Sequence, residues 1–205
     1  MQRKVFDLIA SAGGAVMVVV LVVAGSLLLW GYTFANSNVH NQLAEQQIVF
    51  PGKAAFAHPV AGSEITPSMV GTVSKYAGQP LVTGQQAEVY ADDFIAVHLK
   101  EIGGGLTYAQ LSAKALALPK GSAAYTAAEA KATTVFQGTT LRGLLLEAYA
   151  FGTLATIALI AGISAFVLAA ILAILVAFGF WHARRTTATE QLALHTEAER
   201  VLVTS

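Results

Sequence analysis

Two apolar runs constrain what this chain can fold into more than any other feature. The first covers residues 8–30, and between Ala15 and Leu29 its only polar side chain is Ser26. The second covers residues 151–181 and contains no charged residue. At about 1.5 Å per residue, a helix built from either run crosses the roughly 30 Å hydrocarbon core of a bilayer. The whole chain is only 12% charged and 55% hydrophobic. Soluble domains carry about 25% charged residues, so this deficit implies apolar surface that meets lipid rather than a larger protein core.

The flanks set an orientation. Arg3 and Lys4 precede the first run, and Arg184 and Arg185 follow the second. Positive residues near span ends stay on the cytoplasmic side. Two spans satisfy both ends at once and put the intervening segment outside. Trp30, Tyr32 and Phe34, Tyr149 and Phe151, and Phe180 and Trp181 stand where interfacial aromatics belong. A cleaved signal peptide is the competing reading of the first run. Its basic start fits, and Thr33-Phe34-Ala35 resembles a weak cleavage site. The run is nevertheless well beyond the 7–15 residues of a signal core, which favours an uncleaved anchor. The expected plan is a cytoplasmic N-terminus at 1–7 and a first transmembrane helix at 8–33. An extracytoplasmic helical domain with a stalk follows at 34–150. A second transmembrane helix at 151–181 and a cytoplasmic tail at 182–205 complete the plan. The fold class is all-α: two transmembrane helices with a small extracytoplasmic helical domain inserted between them.

The central segment reads as helices joined by turns. Residues 36–48 have no breaker and extend the first span as a polar stalk, ended by Pro51-Gly52. Thr66-Pro67 reads as a cap and first helical residue of a helix that stops at Gly78. Thr83 caps a helix over 83–102 whose apolar arc is Ala91, Phe94, Ile95, His98 and Ile102, ended by Gly103-Gly104-Gly105. Thr107 and Gln110 form a capping-box pattern for a short helix before Pro119. An alanine-rich helix over 122–136 is expected to break at Gly138-Thr139-Thr140, with a new helix continuing into the second span. Residues 189–202 can form a helix in the tail.

Chemistry-bearing motifs are scarce. The chain has no cysteine, which removes disulfides, thiolate metal sites and thiol catalysis. Its formal charge is zero, and no basic stripe is present to neutralise phosphates, so nucleic acid is not an expected partner. His40, His58 and His98 lie in the central segment without the spacing of a metal pair, and no metal, cofactor or catalytic residue is assigned. Asp92 and Asp93 are adjacent on one helix and point about 100° apart, so they do not converge as an acid–base pair. Gly103-Gly104-Gly105 lacks the lysine and spacing of a phosphate loop. Ser11, Ser26 and Ser164 lack the setting of a nucleophile.

Two features point to contacts instead. Glu147 stands about one turn before the second run, with Arg142 close enough along the chain to pair with it; Asp7 holds the same place at the inner end, with Arg3 one turn away. Ala161, Ala165, Ala169 and Ala173 recur at four-residue steps, with Ala158 and Gly162 beside them and Ala10 and Gly14 in the first run. Small residues at such steps let another helix approach closely. The stretches FDLIASAGGAVMVVVLVVAGSLLLWGYTFANSNVHNQLAEQQIVFP and TTLRGLLLEAYAFGTLATIALIAG resemble a group of actinobacterial two-span membrane proteins of unknown function. The resemblance implies a two-span architecture and transfers no functional motif. Some members of such groups carry labels such as ring-opening dioxygenase, for which this sequence shows no iron-ligand pattern.

The expected role is a non-enzymatic accessory, assembly or scaffolding subunit, in contact with membrane lipid and with a membrane-protein partner or further copies of itself. The alternatives are an extracytoplasmic ligand-binding or sensor module, and an oligomeric ion or proton carrier using Glu147.

Overall fold

A computed structural model describes residues 3–185. Five α-helices lie along that stretch: α1 (Arg3–Glu45), α2 (Gly84–Val89), α3 (Ala96–Gly103), α4 (Tyr108–Leu116) and α5 (Ala123–Arg185). A π-helical segment, Tyr90–Ile95, joins α2 to α3 without a break, and short 3-10 turns fill Lys53–Phe56, Pro67–Met69 and Val73–Tyr76. The only β-type pairing among the described residues is one antiparallel bridge, Val49 to Pro80. The protein is therefore all-α, with two long apolar helices flanking a small helical segment. The tail helix expected over 189–202 lies outside the described residues.

The chain divides into two compact units. One joins α1 up to Trp30 to α5 from Ala158, and the other is Gly31–Ile157. In the first unit the two helices run antiparallel. A Cβ placed on Gly14 would lie 2.6 Å from Val176 Cγ2, one on Gly25 3.0 Å from Phe166, and one on Gly162 3.1 Å from Leu29 Cδ2 and 3.3 Å from the Gly25 carbonyl oxygen. The side chains turned to the partner helix follow seven-residue steps. In α5 these are Gly162, Ala169, Val176 and Ala183; in α1 they are Ser11, Val18 and Gly25. A period of 3.5 keeps a seam facing its partner when two helices wind left-handedly around each other. The small residues at Gly25, Gly162 and Ala169 let the backbones approach. The hydroxyls in these helices turn back on their own turns: Ser26 Oγ donates to the Val22 carbonyl and Ser164 Oγ to the Ile160 carbonyl, both at 2.8 Å. That satisfies them without any partner from outside the helix.

The second unit has its own core. Phe50, Met69, Val73 and Leu81 are fully buried, joined by Val39 and Leu43 of α1, Ala87 of α2, Ala91 and Ile95 of the π segment and Leu145 of α5. Ladder-like hydrogen bonds tie two loops together. The Phe50 N–H is donated to the Gln79 carbonyl and the Leu81 N–H to the Ile48 carbonyl, each at 2.9 Å. The run from α2 to α3 lies antiparallel along α5. Gly84 meets the backbone at Ala148 and Tyr149, and Leu99 packs on Gly138. Tyr76, Phe50, Tyr90, Phe94 and His98 form a chain of ring contacts with centroids 4.5–5.3 Å apart.

Local chemistry explains the helix ends. Thr83 Oγ1 accepts from the Gln86 N–H while the Gln86 side chain accepts from Thr83 N, and Thr107 and Gln110 repeat the arrangement. Gly104 and Gly105 take left-handed backbone at φ 62° and 74°, and the Gly105 N–H is donated to the Lys100 carbonyl at 2.9 Å.

Three expectations are corrected here. The helix expected from Thr66 to Gly78 is two separate 3-10 turns. Thr66 Oγ1 bonds to Ser68 Oγ at 2.8 Å and caps no backbone N–H. The break expected at Gly138-Thr139-Thr140 is absent, and α5 continues through it. Leu99 occupies the space a side chain at 138 would need, and Thr140 Oγ1 donates back to the Phe136 carbonyl at 3.0 Å. Finally, α1 ends at Glu45, before Pro51-Gly52, in a turn that puts Gln47 at φ 53°.

Candidate functional site

Two concave surfaces lie within the second unit, one on either side of Leu141. The first is a cleft of about 500 Å³ between α1 and α5. Its α1 wall is a stripe at four-residue steps, Phe34, Asn38, Gln42 and Gln46, backed by the buried Val39 and Leu43. Its α5 wall is Leu141, Leu144, Glu147 and Phe151, backed by Leu145 and Ala148. Helical periodicity produces both walls, because residues three or four apart share a face. Gln42 Nε2 donates to Asn38 Oδ1 at 3.2 Å, which holds the two amides as a pair. Glu147 is the single charged residue lining this cleft.

The second is a shallower groove of about 410 Å³ between the α3 region and α5, lined mainly by Phe94, Ile95, His98, Leu99, Ile102, Gly138 and Leu141. His98 Nδ1 bonds to the Phe94 carbonyl at 2.8 Å. A carbonyl can only accept, so Nδ1 is the donor. Ile102 and Leu141 are exposed, and the tilted ring pair Tyr108–Phe136, with centroids 5.1 Å apart, is exposed as well.

Among the residues singled out by sequence, Arg142 pairs with Asp92 rather than with Glu147. Its Nη2 and Nε lie 2.6 and 3.1 Å from Asp92 Oδ1. Glu147 is exposed and has no ion-pair partner among the described residues. The pairing crosses 50 positions of sequence, so spacing along one helix had no means of finding it. Asp7 Oδ2 is buried without a hydrogen bond and lies 3.8 Å from His182 Nε2. Of the small residues, Gly162 and Ala169 are buried, Ala158, Ala165 and Gly14 are half-buried, and Ala10, Ala161 and Ala173 are exposed. The seam thus selects from that set by sevens rather than fours. His40 and His58 are exposed, and His98 is half-buried. No three histidine or carboxylate side chains converge among the described residues.

Burial pushes the Tyr90 phenol above its ordinary value near 10, and the Glu64 carboxylate adds to the effect. The phenol therefore stays neutral within its ring chain. Sequence reading missed the cleft and the π segment. The stripe Phe34, Asn38, Gln42, Gln46 was the signal available for the former, since a polar stalk carrying a phenylalanine at its foot is amphipathic.

No family model, curated protein or solved structure matches the chain.

Proposed function

We propose that this chain is a non-enzymatic integral membrane protein that crosses the bilayer twice and works through contacts, as an accessory, assembly or scaffolding subunit. The observation that carries the membrane half of this reading is the exposure of its most apolar windows. Only 6% of that window in α1 and 17% of that in α5 is buried within the protein. A core helix of a soluble protein is covered by its neighbours, whereas these faces present Val16, Val19, Leu27, Ile160, Ile163, Ile171 and Ile174 to their surroundings. Water does not tolerate such a surface at this scale, and lipid does. Arg3, Lys4, Arg184 and Arg185 support an arrangement with both ends in the cytoplasm and residues 34–150 outside.

The contact half rests on the groove between the α3 region and α5. Ile102 and Leu141 stand exposed in its lining and the Tyr108–Phe136 pair is exposed on α4 and α5, all outside the apolar runs, where lipid does not cover them. Apolar side chains left exposed together on a surface mark sites of protein contact, and aromatic residues such as Tyr108 are enriched in interfaces. We expect the protein extracted in mild detergent to migrate as a defined larger assembly. Ile102→Glu combined with Leu141→Glu should release it without changing its far-UV circular dichroism or its membrane location. A wild-type protein that is monomeric in native membranes contradicts this reading. The cleft that contains Glu147 favours a second reading, an extracytoplasmic ligand-binding module.

A further inference from the structure

The cleft between α1 and α5 has the chemistry of a lipid-headgroup site, and we propose that it holds a zwitterionic lipid whose headgroup ends in an ammonium. The inference rests on the two-span reading above, because that reading supplies the lipid. Three features of the cleft converge on this occupant. Its one charge is the exposed carboxylate of Glu147, and no lysine or arginine lines it, so a cation is attracted and a purely anionic headgroup repelled. Its α1 wall offers the paired amides of Asn38 and Gln42, whose remaining N–H groups can donate to a phosphate without adding charge. Apart from Glu147, its α5 wall and its foot are apolar: Leu144 is 60% exposed, Phe34 59% and Phe151 50%. Phe34 and Phe151 are also the residues at which the apolar runs give way to polar sequence. The foot of the cleft is thus at headgroup depth and accepts the start of the acyl chains.

The size agrees. About 500 Å³ falls in the range of about 300–1,000 Å³ typical of small-molecule sites and is too small to seat a helix about 10 Å across along its length. A second copy is the other natural occupant of an exposed helix face. An isologous contact places the same patch against itself and would bring two Glu147 carboxylates together with no cation between them.

The test uses the full-length protein reconstituted into liposomes of equal phosphatidylethanolamine and phosphatidylglycerol. After extraction in mild detergent, the lipids retained per protein are counted by native mass spectrometry. The wild type is expected to keep phosphatidylethanolamine over phosphatidylglycerol by up to about fivefold, the reach of one solvent-accessible ion pair. Glu147→Gln should keep the two equally, and Leu144→Ser should keep less of both. Glycerophosphoethanolamine, the same headgroup without chains, should fail to displace the lipid at millimolar concentration. Equal retention by the wild type, or a preference that survives Glu147→Gln, overturns the proposal. Displacement by the soluble headgroup also overturns it, in favour of a site for a free amine. A chain that inserts into the bilayer but shows no preference refutes only this inference. A chain that does not insert refutes the two-span reading as well.

Discussion

Phe50→Ala is expected to destabilise the central unit by about 4 kcal/mol, within the range for emptying a buried aromatic site. Phe50 is 2% exposed and sits where the loop before it, the loop at Gln79–Leu81 and the π segment meet. Its ring lies 5.3 Å from both Tyr76 and Tyr90, edge-on to the latter at 88°. Truncation removes both ring contacts, each worth about 0.5–1.5 kcal/mol beyond burial. It also leaves a cavity that Met69 and Val73, held by their own turns, have little freedom to fill. Amide hydrogen exchange reads the effect directly. Amides of residues 84–95 should exchange about 10³-fold faster in the variant if they open through unfolding of the unit. Amides between residues 15 and 28 of α1, in the other unit, should hardly change. A variant whose central amides exchange within tenfold of wild type would show that Phe50 does not anchor the core.

Gly84→Val is the second large effect, and its cause is the opposite one. A Cβ at 84 would lie 3.1 Å from the Ala148 carbonyl oxygen and 3.2 Å from Tyr149 Cα, while one at Gly152 would lie 3.3 Å from Gly84 Cα. Both obstacles are backbone, so no rotamer change relieves the clash. The two glycines mark a crossing where the start of α2 rests on α5 with no side chain between them. Overpacking of this kind costs about 1–3 kcal/mol, and with a β-branched side chain against backbone the upper end is expected. Gly143→Ala is the control. It lies on the same helix, α5, with nothing within 4 Å of its would-be Cβ. That exchange should stabilise by up to about 1 kcal/mol through helix propensity alone. If Gly84→Val and Gly143→Ala unfold together in urea, the crossing is not a tight one.

What sequence could and could not reveal follows from the range of the interactions. The caps at Thr83 and Thr107 were legible because the hydroxyl, the amide and the N–H they serve are within three residues of each other. The stop at Gly104 was legible for the same reason. The turns at Pro67–Met69 and Val73–Tyr76 were misread as one helix. Met69 and Val73 keep helical spacing and are fully buried, but Gly71 lies between the two turns, and tertiary burial rather than propensity holds the segment. Gly138 was read as a breaker although it is a contact residue for Leu99, which lies 39 positions away along the chain by the numbering. In the two apolar runs nearly every side chain is apolar and the few hydroxyls bond within their own helix, so hydrophobicity does not say which face packs inward. Only the seven-residue recurrence of small residues, Gly162 and Ala169 against Gly25, carries that information, and the four-residue alanine pattern overlaps it without matching it. Glu147 was noticed for its charge, but the amides and the Phe34 ring that line its cleft come from α1, about a hundred residues earlier, and only folding brings them together.

The central claim, two spans with residues 34–150 outside and both ends inside, is tested most directly by cysteine accessibility. The natural chain contains no cysteine, so each introduced thiol reports alone. Ser37→Cys, Lys120→Cys and Lys4→Cys place single thiols at exposed positions, two in the central unit and one at the start of α1. In intact cells a membrane-impermeant maleimide should label positions 37 and 120 fully and position 4 only after permeabilisation. Equal labelling of all three in intact cells, or recovery of the protein in the soluble fraction, would contradict the account.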